Sequence, residues 1–528
     1  MPIVFSPAPV SAAERIFFNY RFLDFSISVS DLETFAKTGE ISRQLNFYLR
    51  RVTPEQREQF RRVLQEKHVL NPVQISRFLN TPMGEDLLTG TGRLITFENR
   101  RNGKLGLRSA LVKAASEPGG VSLLSVLQRF PTNIRLNTSG IKTAAALVTQ
   151  AIDTTNAMTV EIQRLSAQEI TTEAPVDFAQ LADLRLPGRY ITQKRTLNLT
   201  DPQRDRQLSV DLYYPQTWRQ DGTPVVVMSH GLASNPQHFQ NLARHLSSHG
   251  FLVAVPQHPA SDSLRLQAFL NSLARDVFDV KEFIDRPLDI TFVIDELERR
   301  NRDEFANRLK LDSVGVIGHS FGGYAVLAVA GATIDWEHLQ ADCDRVPREL
   351  NLSLLLQCRA LALPRQDYQF RDERVKVVVA TNPVNGSIFG PRGLAKIQIP
   401  VVLAAGTQDP ATPVIFEQLR AFVWLKTPEK YLALVEGQAH INTATLDARA
   451  TALLETLPDL LLPEQGLIDN YGNSLGLAFF EVFVAGREEY RPFLKSGYAR
   501  FLSEKPFGIY LVNRTSSDEL TEIYNHLN

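Results

Sequence analysis

Three residues of the types that make an activated nucleophile stand far apart in the chain: Ser320, Asp409 and His440. A serine hydroxyl attacks poorly until a histidine takes its proton, and a carboxylate holds that histidine in the useful tautomer. Ser320 lies in Gly318-His319-Ser320-Phe321-Gly322-Gly323. Before it runs Asp312-Ser313-Val314-Gly315-Val316-Ile317, which reads as a buried strand. After it comes Tyr324-Ala325-Val326-Leu327-Ala328-Val329-Ala330, small and apolar, which reads as a buried helix. A strand, a tight Gly-x-Ser-x-Gly turn and a helix hold a serine on a strained corner. Gly318 and Gly322 leave room there for neighbouring backbone. Glycine and serine are common loop residues, so the flanks and the partners carry the case.

The acid candidate Asp409 sits in Gly406-Thr407-Gln408-Asp409-Pro410, after a strand pattern over 400–405. An ordinary turn aspartate before proline has the same appearance. The stretch after the preceding strand, Asn382-Pro383-Val384-Asn385, has no carboxylate to compete with it. The base candidate His440 follows a strand pattern over 430–435. Of the other histidines, His238, His245 and His249 fall on or beside a helix, and His319 is a packing residue within the serine turn. His245 and His249 stand four apart without the glutamate of a zinc-protease helix. An oxyanion hole needs two backbone N–H groups aimed at the developing charge. Phe321 supplies one, and Leu232, in Ser229-His230-Gly231-Leu232, supplies the other; His230 is the competing base. Leu232, His319, Trp336 and Leu354 are the candidate substrate contacts.

These residues need elements to position them. Strand patterns at 189–199, 207–214, 224–229, 251–255, 313–317, 375–380, 400–405 and 430–435 alternate with helical ones at 236–248, 287–300, 321–331 and 413–423. That alternation predicts an α/β fold with a mostly parallel sheet covered on both faces. An apolar insertion, 332–372, with Trp336, Leu350, Leu354, Leu355 and Leu356, follows the serine helix and is placed to form a lid or acyl pocket, or a small subdomain with its own core. Residues 463–528, with Leu475, Phe479, Phe480, Phe483 and Val484 at helical spacing, read as a helical extension.

Upstream the pattern differs. Residues 15–30 alternate as one half-buried strand, and Ser30 and Thr53 begin helices, the second with Pro54 at its first position. Val63 and Leu64 lie on the apolar side of that helix. Helical patterns follow at 72–80, 83–97, 106–117, 121–130 and 140–168, so 15–168 reads as a mostly helical accessory domain and 169–186 as a linker to the catalytic domain 187–462. Lys and Arg outnumber acids thirteen to six over 41–110, but no aromatics are interleaved as stacking platforms, so this reads as a solvated face.

At 528 residues two domains are expected, and the net charge of −1 gives no reason to expect nucleic acid as a partner. No run of eighteen apolar residues appears, so no transmembrane segment is expected. Residues 1–14 read as a flexible tail or as the remnant of a signal peptide, ending Ser11-Ala12-Ala13. The two cysteines, Cys343 and Cys358, are either a short-loop disulfide or two buried thiols. A disulfide would suit a periplasmic or secreted protein, the location these features favour. A homo-oligomer through the N-terminal domain is compatible with the sequence.

The chain resembles α/β-hydrolases of the dienelactone hydrolase and platelet-activating-factor acetylhydrolase type. The residues that carry this are Ser229-His230-Gly231-Leu232, Ser248-His249-Gly250-Phe251-Leu252-Val253-Ala254, Arg286-Pro287-Leu288-Asp289-Ile290 and the Ser320 turn. The start at Glu14-Arg15-Ile16 resembles the N-terminal domain of uncharacterised bacterial hydrolases. The resemblance implies an eight-stranded α/β-hydrolase sheet, the triad order Ser320, Asp409, His440, and ester hydrolysis through an acyl-enzyme with no metal or organic cofactor. It makes Asp289 a packing or helix-start residue. The leucine-rich insertion favours an apolar or lipid-like ester. A serine peptidase, an acyltransferase and a binding protein on a hydrolase scaffold are the alternatives.

Overall fold

A computed structural model describes residues 12–20, 23–345, 351–440, 463–464 and 466–527. Most of the expected tail (1–11), part of the insertion (346–350) and the end of the expected catalytic domain (441–462) lie outside these residues. The chain divides into two compact units, 1–149 with 346–350 and 150–345 with 351–528. The boundary falls inside the helix Thr138–Thr172, upstream of the 168 read from sequence, because an uninterrupted helical pattern carries no mark of where its neighbours change.

In the first unit, β1 (Arg15–Tyr20) and β2 (Leu23–Ser28) pair antiparallel, so 15–30 holds two strands rather than one. With β3 (Ile95–Phe97) and β4 (Ile134–Leu136) they form a sheet in the order β2-β1-β4-β3. Three-residue strands are too short to show a period, so 95–97 reads as the end of a helical pattern and 134–136 shows no pattern of its own. The first helix starts at Val29 with Ser28 at its cap, two residues before Ser30. The helix Pro54–Gln65 starts as expected, with Thr53 and Gln56 closing a capping box. Leu64 is buried beneath it with Leu32, Phe35 and Phe130, whereas Val63 is exposed.

The second unit is built on nine strands, one more than expected: β5 (Thr192–Asp201), β6 (Arg206–Pro215), β7 (Thr223–Ser229), β8 (Leu252–Pro256), β9 (Leu309–His319), β10 (Val375–Thr381), β11 (Val401–Gly406), β12 (Lys430–Val435) and β13 (Ile509–Asn513). The order is β13-β12-β11-β10-β9-β7-β8-β6-β5, parallel from β12 to β8 and antiparallel at both ends. The extra strand is β13, in the region read as purely helical. Its five residues beside Gly508 pair with β12 and cover what would otherwise be a sheet edge.

Alternating residues bury both faces of this sheet. Val226, Met228, Ile317, Val379, Val402 and Ala433 pack with Phe239, Leu246 and the helix Leu467–Phe483. Val225, Val227, Val314 and Val316 are fully buried on the opposite face, where Phe283, Phe321, Tyr324 and Phe389 stack edge-to-face and ring-on-ring. The helix carrying Phe283 runs Glu282–Phe305 and holds Pro287 in its first turns, although a proline in sequence suggests a start. Proline has no N–H to give the carbonyl four residues earlier. That carbonyl, on Phe283, takes the Tyr324 hydroxyl at 2.8 Å instead.

The insertion after the serine helix holds the helix Trp336–Asp344 and a short turn Leu354–Gln357, and Cys343 is bonded to Cys358. Polar side chains fasten it to the unit. Arg420 donates to Asp342 at 3.0 Å, and buried Glu417 accepts from Asn351 (2.7 Å) and Gln357 (2.9 Å) and from the backbone N–H groups of Asn385 and Gly386.

Candidate active site

Strand register brings the candidate residues to one edge. Ser229 pairs with Gly318, Thr381 with His319, and Gly406 with Val435, so β7, β9, β10, β11 and β12 all end at the same level. Ligand sites of open parallel sheets form outside these carboxyl ends.

Ser320 follows β9 directly and has φ 56° and ψ −118°, a strained conformation for a residue with a side chain. The corner is tight. A Cβ on Gly318 would lie 2.1 Å from the Gly322 carbonyl oxygen, and one on Gly322 would lie 1.9 Å from that of Ser229. Only glycine fits at either place.

The Ser320 Oγ is 3.0 Å from Nε2 of His440, and His440 Nδ1 is 2.7 Å from Oδ2 of Asp409. Oδ1 of Asp409 accepts the backbone N–H groups of Ala411 (2.8 Å) and Thr412 (2.9 Å). Oδ2 also accepts from Asn382 Nδ2 (2.5 Å) and Thr412 Oγ1 (2.6 Å). Burial pushes this carboxyl up, but hydrogen bonding and charge from His440, together with Thr412, bring it down to about 2. An ionised carboxylate on Nδ1 requires the Nδ1–H tautomer, leaving Nε2 as the acceptor that faces Ser320. Ser320 is 8 % exposed, so the hydroxyl is reachable but sheltered.

Around this chain stand the other candidates. Among the described residues, neither the Leu232 nor the Phe321 backbone N–H has an acceptor within the protein. The turn bearing Leu232 lies against the serine, since a Cβ on Gly231 would be 3.3 Å from Ser320 Cβ. His230 is not a competing base. It is fully buried, its Nδ1 is 2.8 Å from the Gly231 carbonyl, and burial followed by the nearby Arg286 charge holds its pKa well below the ordinary value.

A cavity of about 190 Å³ opens beside His440 and His319. Its walls are Ile317, Val379, Val402 and Ala433 of the sheet, Phe239 and Leu242, and Gly472, Gly476 and Phe479 of the helix Leu467–Phe483. Of the expected substrate contacts, His319 is on this wall. Leu232, Trp336 and Leu354 are not. Trp336 donates Nε1–H to the Gln366 carbonyl at 2.9 Å, and Leu354 is buried. The insertion is fastened through Asp342, Asn351 and Gln357, and the C-terminal helix Leu467–Phe483 lines this cavity.

Sequence reasoning passed over Asn382 and Thr412, which donate to Asp409. It also passed over His258, whose Nε2 is 2.9 Å from Ser229 Oγ and whose Nδ1 is 2.8 Å from Asp289 Oδ2. Asp289 lies well inside its helix, not at the start, and takes Arg204 and Arg206 as well. Among the described residues no cluster of histidine, cysteine and carboxylates is arranged to hold a metal, and no helix is long and apolar enough to cross a membrane.

The sheet order and the serine corner define an α/β-hydrolase fold. Residues 12–137 match the family described as alpha/beta hydrolase of unknown function (DUF1400), and residues 187–341 match the chlorophyllase family. No curated protein matches the chain.

Proposed function

We propose that the protein is a serine hydrolase of carboxylic esters with an apolar chain. The observation that carries this reading is the unbroken hydrogen-bonded series Ser320–His440–Asp409 at 3.0 and 2.7 Å. In the proposed reaction Ser320 Oγ attacks the ester carbonyl carbon while His440 Nε2 takes its proton. The charge that develops on the carbonyl oxygen is met by the Leu232 and Phe321 N–H groups. His440 then passes the proton to the departing alkoxide, leaving Ser320 acylated. A water, deprotonated by the same nitrogen, releases the acid.

The match of 187–341 to the chlorophyllase family favours an ester as substrate. The finer resemblance to dienelactone and platelet-activating-factor acetylhydrolases rests on the Ser229–Leu232, Ser248–Ala254, Arg286–Ile290 and Gly318–Gly323 stretches. The apolar cavity beside His440 favours a hydrocarbon chain over a sugar or a charged peptide. The Cys343–Cys358 disulfide favours an oxidising, extracytoplasmic setting.

The test is hydrolysis of p-nitrophenyl esters of graded chain length by the full chain and by Ser320→Ala. Turnover by the wild type that vanishes in Ser320→Ala is expected. Equal turnover by both, or none by either, ends the esterase reading.

A further inference from the structure

Beneath the turn that carries Leu232 lies a guanidinium with no exposure at all, that of Arg286. Its NH1 donates to the His230 carbonyl at 2.5 Å and its NH2 to the Gly231 carbonyl at 3.3 Å. Nε donates to Ser261 Oγ at 2.8 Å, and the guanidinium carbon sits 4.6 Å from the ring centroid of Phe321. Glu282, one helical turn back, lies 3.5 Å from Nε as counter-ion. One cation therefore touches both residues expected to donate to an oxyanion, or the peptide next to them.

The direction of these contacts matters. The Gly231 carbonyl and the Leu232 N–H belong to one peptide plane, and in a trans peptide they point in opposite directions. Arg286 and His230 Nδ1 hold the carbonyl end inside the protein, so the N–H end is turned outward on the side where Gly231 abuts Ser320. A cation on the carbonyl oxygen also polarises the peptide and makes its N–H a stronger donor.

The turn is pinned from its other flank too. His258 N–H donates to His230 Nε2 at 3.2 Å, and Ser229, one residue earlier, bonds His258, which bonds Asp289. This second serine–histidine–aspartate series has no solvent-exposed member, so it cannot meet a substrate, and it serves as a brace.

We infer that Arg286 is a positioning residue of the oxyanion hole, which aims and polarises the Leu232 N–H through the Gly231 carbonyl without touching substrate. The inference rests on the esterase reading above. Burial brings the guanidinium down to about 10, so it stays charged at neutral pH.

The experiment compares wild type, Arg286→Lys and Arg286→Met on p-nitrophenyl acetate, with active sites counted by a fluorophosphonate titrant. Affinity for an alkyl trifluoromethyl ketone, whose serine adduct carries an oxyanion, is measured beside it. Arg286→Met should lower kcat about 100-fold with KM within twofold, and weaken the ketone by a similar factor. Arg286→Lys, which keeps the charge but reaches only one carbonyl, should recover part of both. Should either variant fail to fold, Ser261→Ala decides, since it leaves the cation in place but removes the hydroxyl that bonds both Arg286 Nε and Glu282. About a fivefold fall in kcat at constant KM is expected of it. Folded variants with wild-type kcat and ketone affinity overturn the inference, and leave the esterase reading standing if Ser320→Ala is inactive. A wild type without turnover that depends on Ser320 fails the reading itself.

Discussion

The His319 imidazole lies 4.8 Å from that of His440, and its Nε2 is 2.8 Å from the His440 backbone carbonyl. A carbonyl only accepts, so Nε2 carries the proton and His319 is neutral with a bare Nδ1. Burial, then the neighbouring His238 and His440, holds its pKa well below the ordinary value. The residue before the candidate nucleophile thus ties down the loop that brings the candidate base. Replacing it with phenylalanine keeps the ring and loses the bond. His319→Phe should lower kcat about tenfold, the equivalent of one net hydrogen bond, while His319→Gln, which retains an N–H donor, should lose less. Equal kcat for both variants and wild type would show that the bond positions nothing.

Asp409 meets only donors: His440, Asn382, Thr412 and two backbone N–H groups. Asparagine has the same shape but turns an amide N–H₂ toward some of them and favours the wrong tautomer of His440. Asp409→Asn should therefore reduce kcat by about 10³ to 10⁴ with far-ultraviolet circular dichroism unchanged. Near-normal turnover would mean that the acid lies elsewhere.

How far the site is legible in the sequence depends on what each residue needs. Ser320, Asp409 and His440 stand out because a glycine-flanked serine, then an acid and a histidine each after a strand pattern, meet the needs of a triad in its required order. Asn382 and Thr412 do not, since an asparagine before proline and a threonine before proline are ordinary loop chemistry until β10 and β11 pair and set them beside Asp409. Arg286 and Asp289 stand out as a motif, but Pro287 between them draws the helix start five residues too late and hides that both side chains point into the protein. β13 escapes for another reason. Five residues of strand have no local signature apart from their partner, and that partner is β12, about 75 residues earlier in the chain.

The disulfide between Cys343 and Cys358 closes a 15-residue separation within the insertion. Restriction of the unfolded chain by a loop of that size is worth about 3 kcal/mol. The double variant Cys343→Ser, Cys358→Ser should lose up to that amount in urea unfolding. Because the insertion is also held by Asp342–Arg420 and Gln357–Glu417, turnover of short esters should change less than twofold. A large loss of activity at 25 °C with unchanged stability would reverse this ordering of roles.

Five histidines are buried in forms that refuse a proton. Burial holds His230, His258 and His319 well below the ordinary value of 6.5, and brings His238 and His245 to about 4. The unfolded chain protonates all five below about pH 6.5, whereas the folded chain does so only well below that, His238 and His245 near 4. The unfolded state therefore binds more protons across this window, and stability must fall as the pH drops through it. These histidines act in one direction, while the buried carboxyls of Glu282, Asp289 and Glu481, raised by burial, bind protons more readily in the folded state and oppose them. Urea midpoints should hold steady from pH 8 to pH 7 and fall between pH 6 and pH 5, well above the range in which Asp409 is protonated. Midpoints that stay level down to pH 5 would show that these imidazoles accept protons in the folded state, and would undo the neutral tautomers assigned to His230 and His319.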